Sequence, residues 1–582
     1  MSKQLINNFV YGETDKNILG RTDLKAYNQG ASKIENFILN PLGGLSRREG
    51  LSLILEMKTK TRIIGFSYSS DLSFLLIFGN YDLRIIDTTT NEQIGEAITT
   101  PYSSDELAEI QYAQNEDSLF LVHIGHPIYV LEYAGNAFAF SQFKANCDDE
   151  NPNLFEGDNN YPSVVAFCSN RLYLASSRNK PFTIWVSKSF EPSNFWTYKA
   201  GTTTTTTQVA YEEYESQFNK WKGGELTTVT KSYTTWKNEL ESTSWWKARK
   251  QQEGEDIVPT YNDLLATDTT TFGEVMTKYN TEETQIYTDE NAMILELASS
   301  KNDKITFINI LHNIIVGTRS SEWIIPYDIT PSSLKATKES SYGSTFLASM
   351  NMQTELIFFQ SSGVVRSMKY DYTNYNYPCE DITIFNKEIL ESGIIESATQ
   401  STPTARLFCI CNDGTLGVMT RNELDSTSGW VKYKTEIGNF ISTAVADVDG
   451  IQEVYCVIDN SKIKTEDEEL KYYVCIFDKT KTNDLGEYSF ISKLTTNPIE
   501  SSSYQTLDNT KFGWSLGLRV LNSGKFKAGF TNSFLKIADA TNTNIVTLPI
   551  PTSWSKDLRV EVESIDNEPL NINALLMNIG VD

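Results

Sequence analysis

The sequence predicts a mainly β protein with a β-propeller-like core, additional β structure at its ends and a short helical insertion. Seven segments repeat one pattern of apolar run, polar turn, second apolar run, turn and third apolar run. Apart from one long interval, their starts lie roughly 40–55 residues apart, close to the length of a four-stranded propeller blade. Residues that suit pleated, half-buried surfaces are abundant. The repeats begin near Arg62, Ile110, Val164, Ile305, Ala348, Ser397 and Val445.

This pattern divides the chain into five parts. They are an N-terminal assembly segment (1–55), the first propeller-like blades (56–199), a polar, Trp-rich helical insertion (200–287), the remaining blades (288–480) and a C-terminal β region (481–582). The last part either closes the ring or forms a separate β-sandwich. The repeats themselves allow six, seven or eight blades.

The N-terminal segment differs from the blades. Apolar residues with helical spacing, preceded by Asp23 as a cap, predict a helix, and they are Leu24, Tyr27, Ala31, Ile34 and Ile38. Arginines stand out here in an acidic protein. They either pair locally, with Asp23 or Glu49, or contact another subunit, since arginine favours buried and bidentate pairs. The candidate assembly contacts are Arg21, Asp23, Arg47 and Arg48.

The insertion begins with a threonine run, GTTTTTTQ, which is typical of a linker or an extended edge. The spacing of Tyr211, Tyr214, Phe218 and Trp221 then predicts a short amphipathic helix, and later tryptophans indicate a second one. These aromatics either pack on the chain's own propeller or dock a partner, because exposed aromatics mark interfaces. The candidate docking residues are Trp221, Trp236, Trp245 and Trp246.

Charge and cysteine usage restrict the function classes. The formal net charge of −25 disfavours a protein that grips nucleic acid through its phosphates, although DNA could slide along an acidic wall. Seven scattered cysteines without a CxxC or Cys/His cluster predict free thiols packed in a core and a reducing compartment. Neither a membrane-spanning apolar run nor an ordinary signal peptide is expected.

Sequence motifs for catalysis are missing. There are three histidines, and an offset of three in a strand places His123 and His126 on opposite faces, with Gly125-His126-Pro127 as a turn. We therefore expect no metal site, no Ser-His-Asp triad and no catalytic or cofactor-binding residue. A carboxylate pair for glycoside hydrolysis stays open, because its 5–10 Å geometry (roughly) is invisible in a sequence.

The stretch Gly20–Gly50 carries a pattern that is more specific than composition. Its members are Gly20, Arg21, Asp23, Leu24, Tyr27, Gly30, Asn36, Phe37, Pro41, Gly43, Gly44, Arg47, Arg48 and Gly50. Collinear echoes follow at 110–123, 170–189, 315–326, 340–350 and 380–394. With these residues the chain resembles the nozzle, or tail tubular protein B-like, proteins of short-tailed bacteriophages. It departs from them at Gly12-Glu13-Thr14-Asp15, where the family has Gly-Glu-Leu-Ser-Pro, and in its insertion.

The resemblance implies a non-enzymatic virion protein in the tail, made and assembled in the host cytoplasm, without a cofactor or membrane insertion. It implies a homohexameric ring that continues the tail adaptor ring below the portal, retains and then passes genomic DNA without sequence-specific binding, and supports tail fibres. Two other classes stay open. One is a receptor- or glycan-binding propeller module of the tail, and the other is a polysaccharide-degrading tail enzyme.

Overall fold

The structure is a computed structural model. It describes residues 2–69, 71–135, 137–149, 152–208, 211–225, 231–267, 277–286, 288–298, 303–422, 427–448, 450–465, 468–500, 509–531 and 533–582. Within these ranges, none of the helices has both the length and the apolar character needed to cross a membrane.

Seven antiparallel four-stranded units, here called blades 1–7, form the core of the described residues and confirm the predicted mainly β, propeller-like fold; six of them are separate sheets, and blade 6 is part of a nine-stranded sheet. Blade 1 contains Arg62–Ser67, Ser73–Phe78, Asp82–Asp87 and Ile98–Thr99, and blade 2 contains Gln111–Asn115, Ser118–His123, His126–Ala134 and Ala137–Gln142. Blade 3 contains Val164–Cys168, Arg171–Ala175, Thr183–Val186 and Met293–Glu296, blade 4 contains Ile305–Ile310, Ile314–Thr318, Glu322–Ile325 and Thr337–Ser340, and blade 5 contains Met350–Met352, Glu355–Phe359, Val365–Met368 and Cys379–Asp381. Blade 6 contains Ile394–Gln400, Arg406–Cys411, Leu416–Asn422 and Thr427–Tyr433, and blade 7 contains Phe440–Val448, Ile451–Asp459, Tyr472–Asp478 and Gly50–Met57.

Neighbouring blades are joined all the way round. An apolar cluster joins every pair of neighbouring blades. Four boundaries also have hydrogen bonds: Gln114 to Ser67 (blades 1 and 2), Asn351 to Ile310 (4 and 5), Thr443 to Glu396 (6 and 7) and Ile63 to Ser442 (7 and 1). The repeats of the sequence therefore form a closed ring of seven.

The ring closes with a strand from the other end of the chain. Gly50–Met57 pairs antiparallel with Tyr472–Asp478 and supplies the fourth strand of blade 7. Cys456, Cys475 and Leu51 pack in the same buried cluster, and the seven cysteines are free thiols. Closure thus depends on main-chain pairing between residues more than 400 positions apart.

The remaining strands of both termini form a β-sandwich. One sheet runs Phe37–Leu39, Leu45–Arg47, Asn571–Val581, Lys511–Val520 and Ile545–Pro549, with Ser2–Ile6 also paired to Asn571–Val581. The other continues outward from blade 6 through Ala31–Glu35, Lys493–Thr496, Val560–Ser564, Lys525–Phe530 and Lys536–Asp539, giving nine strands in all. Apolar side chains of both sheets, such as Leu518 and Val562, share one core. The named strands of 481–582 lie in these two sheets, and the fourth strand of blade 7 is Gly50–Met57.

The helix predicted from Leu24 to Ile38 is wrong. Only Lys25–Asn28 is α-helical, and Ala31–Glu35 and Phe37–Leu39 are strands. Ala31 and Ile34 are both buried because the strand register shifts between Ala31 and Lys33, so that an offset of three returns to the same face. Asn36, with a φ of 55°, then breaks the strand. The register shift after Ala31 and the break at Asn36 thus give the buried apolar residues a spacing like that of a helix.

Short elements complete the description. They are the 3-10 turns Lys16–Ile18, Leu107–Glu109, Pro331–Ser333 and Lys387–Ile389, and the parallel pair Asn146–Cys147 with Asn194–Phe195.

The insertion is a separate compact unit, Tyr198–Asp289. Its threonine run is a strand, Lys199–Gln208, paired antiparallel with Thr277–Ile286, and between them lie the helices Tyr211–Lys222, Tyr233–Ser242, Ser244–Glu253 and Tyr261–Thr267. Residues 209–210, 226–230, 268–276 and 287 of the predicted insertion lie outside the described residues. The unit leaves blade 3 between its third and fourth strands.

Removing the insertion is expected to leave the propeller folded. The N–H of Ala292 donates to the carbonyl of Trp196 at 3.0 Å, so the two chain ends already meet. Replacing 198–289 with a short Gly/Ser loop should preserve the β-type circular dichroism and a cooperative thermal transition. As a control, deleting the strand Met293–Glu296 should abolish that transition, because blade 3 then loses its edge. Loss of the transition in the first variant would contradict a separable insertion.

Candidate functional site

The centre of the blade ring contains a cavity of about 280 Å³. The first strands of blades 1, 2, 6 and 7 and the segment entering blade 5 line it, with polar groups from Gln111, Tyr112, Ser349, Thr399 and Thr443. Concave sites with a few convergent polar groups are the usual places for ligands. A cavity of this size holds a small solute rather than a polymer strand.

A buried ion pair lines this centre. Arg62 Nε lies 2.8 Å from Glu396 Oε1, joining blade 1 to blade 6 across blade 7, and both side chains are less than 15% exposed. One Arg62 nitrogen also donates to the carbonyls of Leu107 and Ile110 at 2.6 Å. Glu396 accepts a further bond from the N–H of Thr443. The charges are thus neutralised within the chain, as burial requires.

The lining of the cavity has little catalytic potential. Among its described residues, Glu396 is the one carboxylate, and histidine and cysteine do not occur. Glycoside hydrolysis requires two carboxylates. The cavity therefore fits binding or structural support better than that reaction.

The structure places two of the predicted assembly residues in the interior. Arg48 is 1% exposed and Arg47 is 8% exposed. Both guanidinium groups stack on the ring of Phe490, at 3.5 Å for Arg48 and 4.6 Å for Arg47. Burial, together with the nearby charge of Arg48, lowers the pKa of Arg47 to about 10. Neither side chain offers its charge to a neighbouring subunit.

Arg48 is the hub of this buried cluster. It forms a bidentate pair with Asp484 at 2.9 and 2.7 Å and donates to Asn36 Oδ1 at 3.0 Å. It also donates to the carbonyls of Glu49 and Lys434. These partners belong to the closing strand, the end of blade 6, the segment after blade 7 and the sandwich. Arg48 therefore holds together the place where all four meet, which we call the joint.

Arg21 and Asp23 lie at the surface and form a local pair. Two hydrogen bonds of 2.8 and 2.7 Å join them, and more than half of each side chain is exposed. The hydrogen bond from Arg21 lowers the pKa of Asp23. Exposed pairs of this kind add little stability, so this pair is free to serve a contact.

The tryptophans of the insertion form its own core. Trp221, Trp236 and Trp246 are each no more than 2% exposed and pack with Phe218 and Leu240. Trp245 is 45% exposed and lies beside the guanidinium of Arg249. Of the four predicted docking residues, Trp245 is thus the one with a large accessible surface.

The histidines correct another expectation. His123 and His126 face each other directly across the hairpin of blade 2, and their ring centroids are 5.0 Å apart. The loop between them has two residues, Ile124 and Gly125, and a two-residue hairpin loop sets its flanking residues opposite one another. The sequence contains this signal as Ile124-Gly125, and the predicted turn, Gly125-His126-Pro127, lies one residue too far along the chain.

Carboxylates surround this pair. His126 Nε2 lies 3.0 Å from Glu106 Oε1, and His123 Nε2 lies 3.5 Å from Glu109 Oε2. Burial, reinforced by His126, lowers the pKa of His123. Although partial burial acts to raise it, hydrogen bonds from Ser103 and His126 lower the pKa of Glu106 to about 2.

No protein-family model matches this chain, and no curated protein matches it. Solved propeller structures are similar to it at low identity. The structure of U3-55K has a TM-score of 0.37 and 8% identity, covering 74% of this chain and 99% of that chain. The RRP9 WD40 repeats have 0.36 and 7%, covering 74% and 99%. The β-propeller domain of Myceliophteria_thermophila Cps50 (Swd1) has 0.37 and 9%, covering 74% and 98%. These similarities concern the architecture alone.

Breaking the joint is expected to destabilise the whole protein. Asp484→Asn leaves Arg48 buried without its counter-charge, which costs about 3–5 kcal/mol in the free energy of unfolding. Denaturant unfolding of the purified chain measures this loss. As a control, Asp23→Asn removes the exposed partner of Arg21 and should leave the unfolding midpoint unchanged. Equal effects of the two substitutions would contradict the role given to the joint.

The central ion pair should matter for stability as well. Arg62→Gln leaves the Glu396 carboxylate and two carbonyls short of donors, and we expect a loss of about 2–4 kcal/mol. The matched control is Arg84→Gln in the same blade, whose pair with Asp82 is about one-third exposed and is worth about 1 kcal/mol or less. Thermal unfolding of both variants is the measurement, and an unchanged midpoint for Arg62→Gln would show that the pair is dispensable.

Proposed function

We propose that this chain is a structural virion protein, the nozzle subunit of a short phage tail. In this role six copies form a ring at the distal end of the tail, below the adaptor ring. The ring retains the genome, passes it outward during ejection and offers a platform for tail fibres. The protein works as a rigid wall and a gate, without a chemical reaction.

The observation that carries the proposal is the location of the family-like pattern. Asn36, Phe37, Arg47 and Arg48 all belong to the pattern and all lie in the buried joint or directly beside it. Gly43, another member, has a φ of +95° and a Cβ there would come within 2.5 Å of Asn8. These five shared residues are thus ones that this architecture needs, which supports a common fold.

The closed centre of the propeller indicates where the conduit would lie. The cavity of about 280 Å³, with the buried Arg62–Glu396 pair in its wall, is too small for a DNA duplex. The channel of the proposed ring must therefore run between copies. Such a ring carries six times −25 in formal charge, and acidic walls repel phosphates, so DNA slides without adhering.

One observation favours a second candidate. The polar central cavity resembles a site for a small polar ligand, which supports the receptor- or glycan-binding alternative. The two functions predict different oligomeric states. A glycan-binding module works as an isolated chain, whereas a nozzle requires the ring.

The decisive measurement is native mass spectrometry of the purified chain, combined with imaging of virions or tails labelled by an antibody to it. We expect six-fold rings, or six-fold density at the tail tip that carries the label. A stable monomer that is absent from particles would overturn the nozzle proposal, and glycan binding by that monomer would establish the alternative.

The same assay tests the remaining surface candidates. Arg21→Glu places two like charges side by side on the exposed part of the pattern, and we expect at least about tenfold weaker ring formation. The matched control is Arg84→Glu. It disrupts the pair of Arg84 with Asp82, which are also two positions apart but lie outside the family-like pattern of Gly20–Gly50. If both variants assemble alike, Arg21 and Asp23 are not assembly contacts.

A further inference from the structure

The histidine pair lies where two separate elements meet. The connector from blade 1 to blade 2 carries Glu106 and Glu109, and the hairpin inside blade 2 carries His123 and His126. Tyr102, also from the connector, is fully buried and packs edge-on against both imidazole rings. The two imidazole rings therefore contact an aromatic ring and lie near two carboxylates.

The donor atoms lie close to one another. One nitrogen from each histidine and one oxygen from Glu106 all lie within 4.8 Å of one another. His123 is 4% exposed, and its Nε2 has no hydrogen-bond partner. Glu109 Oε2 lies 3.5 Å from that nitrogen, which is too long for a hydrogen bond of normal length. A buried polar atom without a partner requires an explanation.

We propose that Glu106, His123 and His126 bind a divalent transition-metal ion, with Zn²⁺ as the ion that suits them, and that Glu109 supplies the fourth ligand. Zn²⁺ takes imidazole nitrogens and carboxylate oxygens in tetrahedral sites. Neighbouring ligand atoms of such a site lie about 3.3 Å apart, given metal–ligand bonds of about 2.0–2.1 Å. The distance from His126 Nε2 to Glu106 Oε1 is 3.0 Å and that from His123 Nε2 to Glu109 Oε2 is 3.5 Å, one slightly below and one slightly above this spacing.

The hairpin turn must adjust when the ion binds. The N–H of Gly125 donates to His123 Nδ1 at 3.0 Å, so in the neutral ring the proton sits on Nε2. Coordination through Nε2 requires that proton to leave and Nδ1 to carry one instead, which then needs an acceptor. Rotation of the 124–125 peptide presents the Ile124 carbonyl in place of the N–H, and glycine permits such a rotation.

The site is structural in character. Four protein ligands leave no open position, as in closed zinc sites. The ion would tie the connector between two blades to the hairpin of the second blade. Metal binding to the folded state alone raises stability, so the site would stiffen one sector of the ring.

Metal content and affinity provide the test, on the full chain. After treatment with a chelator, the protein is titrated with Zn²⁺ against a chromophoric competitor, and separately with Co²⁺, whose visible spectrum reports tetrahedral coordination. We expect one equivalent of each metal to bind, a tetrahedral Co²⁺ spectrum and a higher melting temperature with Zn²⁺. Absence of stoichiometric binding by the wild-type chain would overturn the proposal.

Variants separate this site from adventitious binding by the acidic surface. His126→Asn and Glu106→Gln, both at partly exposed positions, should lower Zn²⁺ affinity at least about tenfold and abolish the Co²⁺ spectrum. The control is His312→Asn, because His312 is an exposed histidine stacked on Tyr370, and it should bind like the wild type. Unchanged binding in both site variants would refute the assignment. The assay uses the isolated chain, so its result does not depend on the ring.

Discussion

One buried guanidinium group sets the architecture. Arg48 satisfies Asp484, Asn36 and two carbonyls at once and stacks on Phe490. A buried charge is tolerated only when its partners are all in place. These partners come from the sandwich, the closing strand and the segments that follow blades 6 and 7, so each part can reach its final position only when the others have. The joint converts a propeller and a sandwich into one cooperative unit.

This dependence also concerns the chain ends. The closing strand and the sandwich both pair the first 60 residues with residues beyond 470. Such contacts form late and slowly, because the loop entropy is lost before the contacts reward it. Blades 1–6 each pair strands that are close in sequence, apart from the detour through the insertion in blade 3. Most blades thus form from strands that are neighbours in sequence, whereas ring closure requires strands from the two ends of the chain to pair.

The sequence predicts the local part well and the global part poorly. Each repeat start falls in or next to the first strand of a blade, since alternating apolar runs and turns are a local signal. The partner of Arg48 lies 436 residues away, so local pairing and an intersubunit contact were equally compatible with the sequence. The histidine pair was missed for a smaller reason. A shift of one residue in a hairpin turn exchanges the faces of every following side chain.

In the proposed ring, the buried contacts at the centre of each propeller restrict where a gate can lie. The Arg62–Glu396 pair joins blades 1 and 6 in the wall of the central cavity, so breaking it would expose a buried carboxylate and disrupt the contacts that join blades. A gate that opens on demand belongs instead at surfaces whose contacts are weak and solvated. Exposed charge pairs such as Arg21 with Asp23 meet that requirement, because their energies are small and respond to neighbouring charges. For the proposed ring this makes a rigid propeller an advantage, since movement is then expected at the boundaries between copies rather than inside each chain.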